Sequence, residues 1–282
     1  MPHDLIAVGD VMLDGALPEP VPGGRVHGRI ELRAGGSAAN AALAAARLGA
    51  SAAVIGRVGA DAAGRLVADA LAAAGVEPLL ARDEDERTGC VVVVGDTSIV
   101  ADPGASSRLA PNDLPATLEA GAVLVSGYSL LQTGAEAAAR AALERARTDW
   151  LAIDAGSARL VAAFGVDCFL EATAAAGVLL ANGEEARTLT GLEPAEAALT
   201  LARRYHVVCV KLGRAGAILA TGGDLVRAEV PPLDRLDTLG AGDAFAGGLL
   251  TSLGRGADLA VALRAGCDAA TAALTIAGAL PE

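Results

Sequence analysis

The feature that most constrains this chain is an alternation, sustained almost from end to end, of short aliphatic runs with alanine-rich stretches of helical spacing. The runs at 5–8, 54–58, 123–126, 150–154, 177–181 and 207–212 are bounded by Gly, Asp, Asn or Ser and read as buried strands. Between them, 38–48, 62–74, 135–147 and 194–203 carry helical composition and spacing. Repeated strand–helix units require right-handed crossovers. The expected fold is therefore α/β, a doubly wound, mostly parallel sheet flanked by helices. Ligands of such sheets bind at the carboxyl ends of the strands, so the polar residues just after each run carry the functional information.

Two segments break the alternation. Residues 15–33 hold Pro18, Pro20 and Pro22 and then alternate polar with apolar from Arg25 to Leu32; residues 88–101 read as a hairpin turning at Gly95-Asp96. Both are expected outside the main sheet, as a small β-strand lid over one end of a single domain spanning 1–282. No internal repeat or linker divides the chain.

Composition narrows the partners. With 34 Asp and Glu against 22 Lys and Arg, the 282 residues carry a formal charge of −12, which disfavours nucleic acid and anionic membranes. Aromatic residues make up only 2%, too few for a base-stacking platform. The C-terminal apolar stretch is interrupted by Arg264 and Asp268, the N-terminus lacks the pattern of a signal peptide, and a soluble, cytoplasmic protein is expected. The cysteines at 90, 168, 209 and 267 lack zinc-like spacing and are expected as buried, reduced thiols.

The strongest chemical signal is Asp237-Thr238-Leu239-Gly240-Ala241-Gly242-Asp243, leading into the apolar run 246–253. Gly240 and Gly242 allow a tight turn into a helix whose first N–H groups lack intrahelical partners, which makes an anion site. A carboxylate at Asp243 would repel a merely bound anion, but it suits a base that takes a proton from an attacking hydroxyl. The second signal, Gly35-Gly36-Ser37-Ala38-Ala39-Asn40, permits close approach of a ligand to backbone and offers Asn40 to hydroxyls.

In this order, the two segments resemble the ribokinase-like (phosphofructokinase-B type) family of sugar and nucleoside kinases, and the resemblance runs the length of the chain. Gly9-Asp10-Val11-Met12-Leu13-Asp14 is similar to the family's opening, which implies that Asp14 holds substrate hydroxyls together with Gly35, Gly36 and Asn40. Gly59-Ala60-Asp61-Ala62-Ala63-Gly64 matches a turn read as structural. Asn182-Gly183-Glu184-Glu185 resembles the Asn-x-x-Glu motif, implying that Asn182 and Glu185 organise Mg2+ and phosphate through water. Lys211, Gly213 and Gly216 resemble the strand and glycine turn that line ATP; Thr238 and Gly278 fall near the nucleotide, and Asp237 is the candidate for a K+ site.

The resemblance departs at two places. Gly156 stands where the family often has Asn in Asp-x-Asn-x-Arg after the strand ending at Asp154, and Ser37 stands where ribokinases proper tend to carry Lys. Both touch substrate recognition. The expected activity is transfer of the γ-phosphoryl of ATP, with Mg2+, to a hydroxyl of a small sugar-like molecule. Asp243 would act as base, and the backbone N–H groups of Gly240, Ala241 and Gly242 would face the phosphoryl group. A lid without aromatics favours polyhydroxyl or anionic sugars over nucleosides, and its exposed strands suit a homodimer. The alternatives are a nucleoside kinase of the same fold and a non-catalytic sugar- or nucleotide-binding regulator. A dinucleotide oxidoreductase is weaker, because no G-x-G-x-x-G follows the first strand.

Overall fold

A computed structural model of the chain describes residues 3–17, 27, 30–94, 98–231 and 240–278. The elements follow in the order β1 (His3–Val8), β2 (Met12–Leu17), β3 (Glu31–Gly35), α1 (Ser37–Arg47), β4 (Ala52–Gly59), α2 (Ala62–Ala73), β5 (Val76–Asp83), β6 (Thr88–Val94) and β7 (Ser98–Gly104). The middle of the chain forms β8 (Leu118–Val125), α3 (Gly127–Leu131), α4 (Glu136–Arg145), the two-residue β9 (Ala146–Arg147), β10 (Trp150–Asp154), α5 (Ala158–Phe164) and α6 (Val166–Ala172). The last part forms β11 (Val178–Asn182), α7 (Gly183–Thr190), α8 (Pro194–Leu201), β12 (Val207–Lys211), β13 (Ala217–Thr221), β14 (Asp224–Ala228), α9 (Ala241–Gly254) and α10 (Leu259–Gly278).

The main sheet runs β14-β13-β12-β11-β10-β8-β1-β4-β5, with β9 beside β8. From β12 to β5 neighbouring strands are parallel, and β13 and β14 extend the sheet antiparallel. Continuous apolar runs arise because both faces are covered. Leu5 and Ala7 of β1 join a core beneath α1, α2, α9 and α10, whereas Ile6 and Val8 point into a second core beneath α4, α5, α7 and α8. The alanine content has a packing reason: Ala38, Ala39, Ala41, Ala42 and Ala45 of α1 are fully buried, and small side chains let a helix lie close to its neighbours.

The segments that broke the alternation contribute to a second, four-stranded sheet ordered β3-β2-β6-β7. It begins earlier than the sequence suggests, at Met12, and ends later, at Gly104; the turn at 95–97 and residues 18–26 and 28–29 lie outside the described residues. The Gly59–Gly64 motif joins the two sheets. Asp61 caps α2 by accepting from the Gly64 N–H (2.8 Å) and accepts the Thr88 N–H (2.8 Å) and hydroxyl (2.6 Å) where β6 starts.

The cysteine expectation needs correction. All four thiols are free, but only Cys209 and Cys267 are buried; Cys90 is half-buried and Cys168 exposed. On α6 the fully buried side chain is Phe169, so Cys168 beside it turns to solvent. No described helix is long and apolar enough to cross a membrane.

Candidate active site

Strand order reverses between β1 and β8. The chain moves outward from β1 to β4 and β5 on one side and from β8 to β10, β11 and β12 on the other. At the carboxyl ends around this point lies a cavity of about 740 Å3, reaching from the small sheet to the end of β12 and the inner face of α10. It brings together Asp14, Gly36, Asn40, Asn182, Glu185, Lys211, Gly213, Gly216, Gly240, Ala241, Gly242 and Asp243, drawn from sites up to about 230 residues apart.

Gly240 precedes α9 with φ +75°, a left-handed conformation open to glycine, and among the described residues no side chain caps the helix. The first N–H groups of α9 therefore meet the cavity with the positive end of the helix dipole behind them. Asp243, in the first turn, is held from α1: its Oδ1 accepts the Ser37 hydroxyl (2.7 Å) and its Oδ2 accepts the Asn40 amide (3.2 Å). Burial raises its carboxyl from 3.8 to about 6. The Ser37 hydrogen bond and the Lys211 charge oppose the rise, and Asp10 adds to it. A carboxylate of that affinity is ionised at neutral pH and can accept a proton.

Three further acids share the space. Asp10, after β1, is buried; its Oδ2 accepts the Ser37 N–H (2.6 Å) and its Oδ1 the Ser126 hydroxyl (2.7 Å). Asp14 on β2 is only 4% exposed, and its Oδ1 has no hydrogen-bond partner. Burial lifts its carboxyl to about 7 against the opposing charge of Arg33, with Asp243 and Asp10 adding to the rise. Asp154 ends β10 and accepts the Gly127 N–H (3.1 Å); burial lifts it to about 7 against Lys211, aided by Asp243, Asp10 and Glu185. Gly35 does not line the cavity. A Cβ there would meet the Asp14 carboxyl carbon at 2.0 Å, so the role expected of Gly35 becomes one of giving Asp14 room.

At the other end, Asn182 and Glu185 form a closed pair at the start of α7. Asn182 Oδ1 accepts the Glu185 N–H (2.9 Å), while Glu185 accepts the Asn182 N–H and amide, each at 2.8 Å. Lys211 pairs in register with Asn182 across β11 and β12, and its Nζ lies 3.1 Å from where a Gly242 Cβ would stand. Among the described residues no group of three or more His, Cys, Asp or Glu could enclose a metal ion. One buried carboxylate, with a second lone pair free on each oxygen, fits Mg2+ held chiefly by phosphates and water.

Asp237 and Thr238 lie outside the described residues. Gly278 ends α10, whose described lining residues Cys267, Ala270, Thr271 and Leu274 share one face. The sequence reading did not name Asp10, Tyr128 or Asp154 as site residues, and named Ser37 only as a departure touching substrate recognition. Asp10, Tyr128 and Asp154 follow or end strands and were within reach of the strand-end rule; Ser37 and its bond to Asp243 were not. Tyr128, whose hydroxyl burial pushes up, also supplies an aromatic ring that the lid lacks.

Comparison with known proteins agrees with this geometry. A 2-dehydro-3-deoxygalactonokinase from Haloferax volcanii is 30% identical, over 97% of this chain and 91% of its own length. The structure of an adenosine kinase from Sinorhizobium meliloti shares the fold at a TM-score of 0.87, with 24% identity over 98% of this chain and 94% of that one. A fructokinase from Vibrio cholerae O395, in a form with fructose, ADP and calcium ion bound, has a TM-score of 0.78 and 26% identity over 94% of this chain and 90% of that one. The profile described as pfkB family carbohydrate kinase matches residues 2–281, and with the uncapped α9 and its buried acid in place the chain belongs to that family of kinases.

Proposed function

We propose that this kinase transfers the γ-phosphoryl of ATP to a hydroxyl of a small sugar, with Asp243 as the general base. One observation carries the reading: the Asp243 carboxylate is fixed by Ser37 and Asn40 beside a helix N-terminus whose cap residue, Gly240, has no side chain to cap it. Asp243 takes the acceptor's hydroxyl proton as that oxygen bonds to the γ-phosphorus and the bridging bond to ADP breaks. The N–H groups of Gly240, Ala241 and Gly242 receive the negative charge of the moving phosphoryl group, and Lys211 adds a cation from the nucleotide side. Asp14, Gly36 and Asn40 orient the acceptor.

Asn182 and Glu185 would hold Mg2+ through water, and Mg2+ supplies neutralisation of phosphate charge. Gly213 and Gly216 line the nucleotide, and K+ at Asp237 is the remaining cofactor of this reading. The four-stranded sheet is the lid of a single domain. Its exposed Leu32, Ile99 and Val100 suit contact with a second copy, a homodimer that light scattering would test. Free thiols and the −12 charge suit a cytoplasmic enzyme that works without nucleic acid or membrane. A nucleoside acceptor is the second reading, favoured by the Tyr128 ring in the cavity.

The test is ADP release with ATP and Mg2+ over a panel of pentoses, hexoses, sugar acids, phosphosugars and nucleosides. A sugar is expected to exceed any nucleoside at least tenfold in kcat/KM, or about 1.4 kcal/mol. A nucleoside as the best acceptor would select the second reading. ATP turnover stimulated by none of them would overturn both.

A further inference from the structure

Asp10 is a buried acid to which the reaction above gives no part. It follows β1, is 4% exposed, and commits both oxygens to the chain: Oδ2 accepts the Ser37 N–H (2.6 Å) and Oδ1 the Ser126 hydroxyl (2.7 Å). Its backbone is fixed from two sides. Val11, fully buried, gives its N–H to Ser106 Oγ (3.2 Å) and accepts the same hydroxyl at its carbonyl (2.8 Å). On the other side, a Cβ on Gly36 would meet the Asp10 carbonyl oxygen at 2.5 Å, so glycine lets α1 begin directly against Asp10.

The cap residue of α1 is that same Gly36, which has no side chain, and Asp10 supplies from the end of β1 the acceptor that the helix start lacks. Ser37 therefore stands between two carboxylates. Its N–H goes to Asp10 and its hydroxyl to Asp243 Oδ1 (2.7 Å), while Asn40, in the same first turn, donates to Asp243 Oδ2 (3.2 Å).

We propose that Asp10 is a positioning residue for the base: by capping α1 it sets Ser37 and Asn40, and through them the orientation of the Asp243 carboxylate. This rests on the kinase reading above and adds a residue that acts on the reacting atoms only through α1.

Two physical effects follow. A carboxylate held in place keeps a lone pair aimed at the acceptor hydroxyl, and misplacing it costs turnover rather than acceptor binding. The second effect is electrostatic. The bridge through Ser37 brings a like charge near Asp243, and burial joined by that charge holds the Asp243 carboxyl at about 6, against Ser37, Lys211 and Asn40, which pull it down. From other elements, Asp14 of β2, Tyr128 of α3 and Asp154 of β10 also face Asp243, and Glu185 of α7 and Cys267 of α10 line the same cavity. All of these stay unchanged when Asp10 alone is replaced.

The test compares Asp10→Ala, Asp10→Asn, Ser37→Ala and Asp10→Ala combined with Ser37→Ala against wild type, on the best acceptor of the panel with saturating ATP and Mg2+. Asp10→Ala loses the cap and should lower kcat at least about tenfold, with the acceptor KM changed less than about threefold. Asn can still accept the Ser37 N–H, and its amide can donate to the Ser126 hydroxyl, so Asp10→Asn should recover most of that kcat. Without the charge its acid limb should lie at lower pH, keeping at least about twofold more of its plateau kcat/KM near pH 5 than wild type. Because Asp10 acts through Ser37, the kcat loss of the double variant should fall at least about threefold short of the product of the two single losses. A loss carried by KM, an Asn variant no better than Ala, an unmoved acid limb or fully multiplicative losses would each overturn the proposal. If Asp10→Ala does not fold, the acid limb of Asp10→Asn decides alone. Asp243→Asn in parallel separates the two readings. Wild-type turnover in Asp243→Asn removes the base and this proposal with it, whereas a slow Asp243→Asn beside wild-type behaviour of the Asp10 variants overturns the role of Asp10 alone.

Discussion

Two helices begin at the rim of the same cavity and satisfy their first turns in opposite ways. In α7, Asn182 and Glu185 answer one another's backbone and side-chain groups, so the helix end is closed before any ligand arrives. In α9 the cap position is Gly240, which offers no side chain, and the acid of the first turn reaches away to Ser37 and Asn40 of α1. The contrast separates support from chemistry. A helix start that uses its polar groups on itself becomes a rigid mount, whereas one that leaves its N–H groups open and aims its carboxylate outward remains available to an anion and a proton.

The strongest attempt to break that contrast is Asp243→Asn, which keeps the size of the side chain and removes the base. Turnover should fall by about 10²–10⁴ with ATP binding little changed, as steady-state rates and nucleotide titration would read; retained turnover would make α9 as idle as α7. Stability should move the other way. The Asp243 carboxyl stands at about 6 when folded against 3.8 ordinarily, so between these values the folded state binds more protons than the unfolded one and stability falls as pH rises. Melting of Asp243→Asn should therefore exceed wild type at pH above this window and match it below.

The pH profile sharpens the same assignment. Wild-type kcat/KM should drop about tenfold per pH unit below the folded value of about 6, and a flat profile would reject Asp243 as base. Glu185→Gln comes next: it removes one charge from the closed end, so it should raise the Mg2+ requirement and slow turnover about tenfold. A wild-type Mg2+ titration curve and rate would leave Glu185 as a capping residue only. The smallest effect belongs to Asn182→Ala, which should lower stability by about 1 kcal/mol in denaturant unfolding through loss of the cap; no loss would mean that α7 does not depend on its own side chains.

Much of this molecule was open to reading from one dimension. Leu5 and Ala7 face one core and Ile6 and Val8 the other, so an unbroken apolar run announces a strand covered on both faces, and repetition with helices then requires parallel crossovers. The Gly240–Asp243 turn is similarly local, since a helix start, its open N–H groups and its acid lie within four consecutive residues. Other features have no local signature. The exposure of Cys168 and the extension of the small sheet to Met12 and Gly104 depend on which surfaces neighbouring elements leave uncovered, whereas the antiparallel β13 and β14 turn at Gly222-Gly223, a local hairpin signal that the strand–helix reading did not use.

The sequence by itself determined the fold class and the glycine turn that leads into α9 with an acid in its first turn, because backbone preference and burial periodicity act over a few residues. Only the tertiary structure decided what that acid is bound to and what else shares its cavity. Ser37 and Asn40 meet Asp243 across 206 and 203 residues of chain, and strand order gathers Asp10, Asp14 and Asp154 around it. Charge acts through space, so the raised carboxyls exist only once the sheet has put those acids side by side.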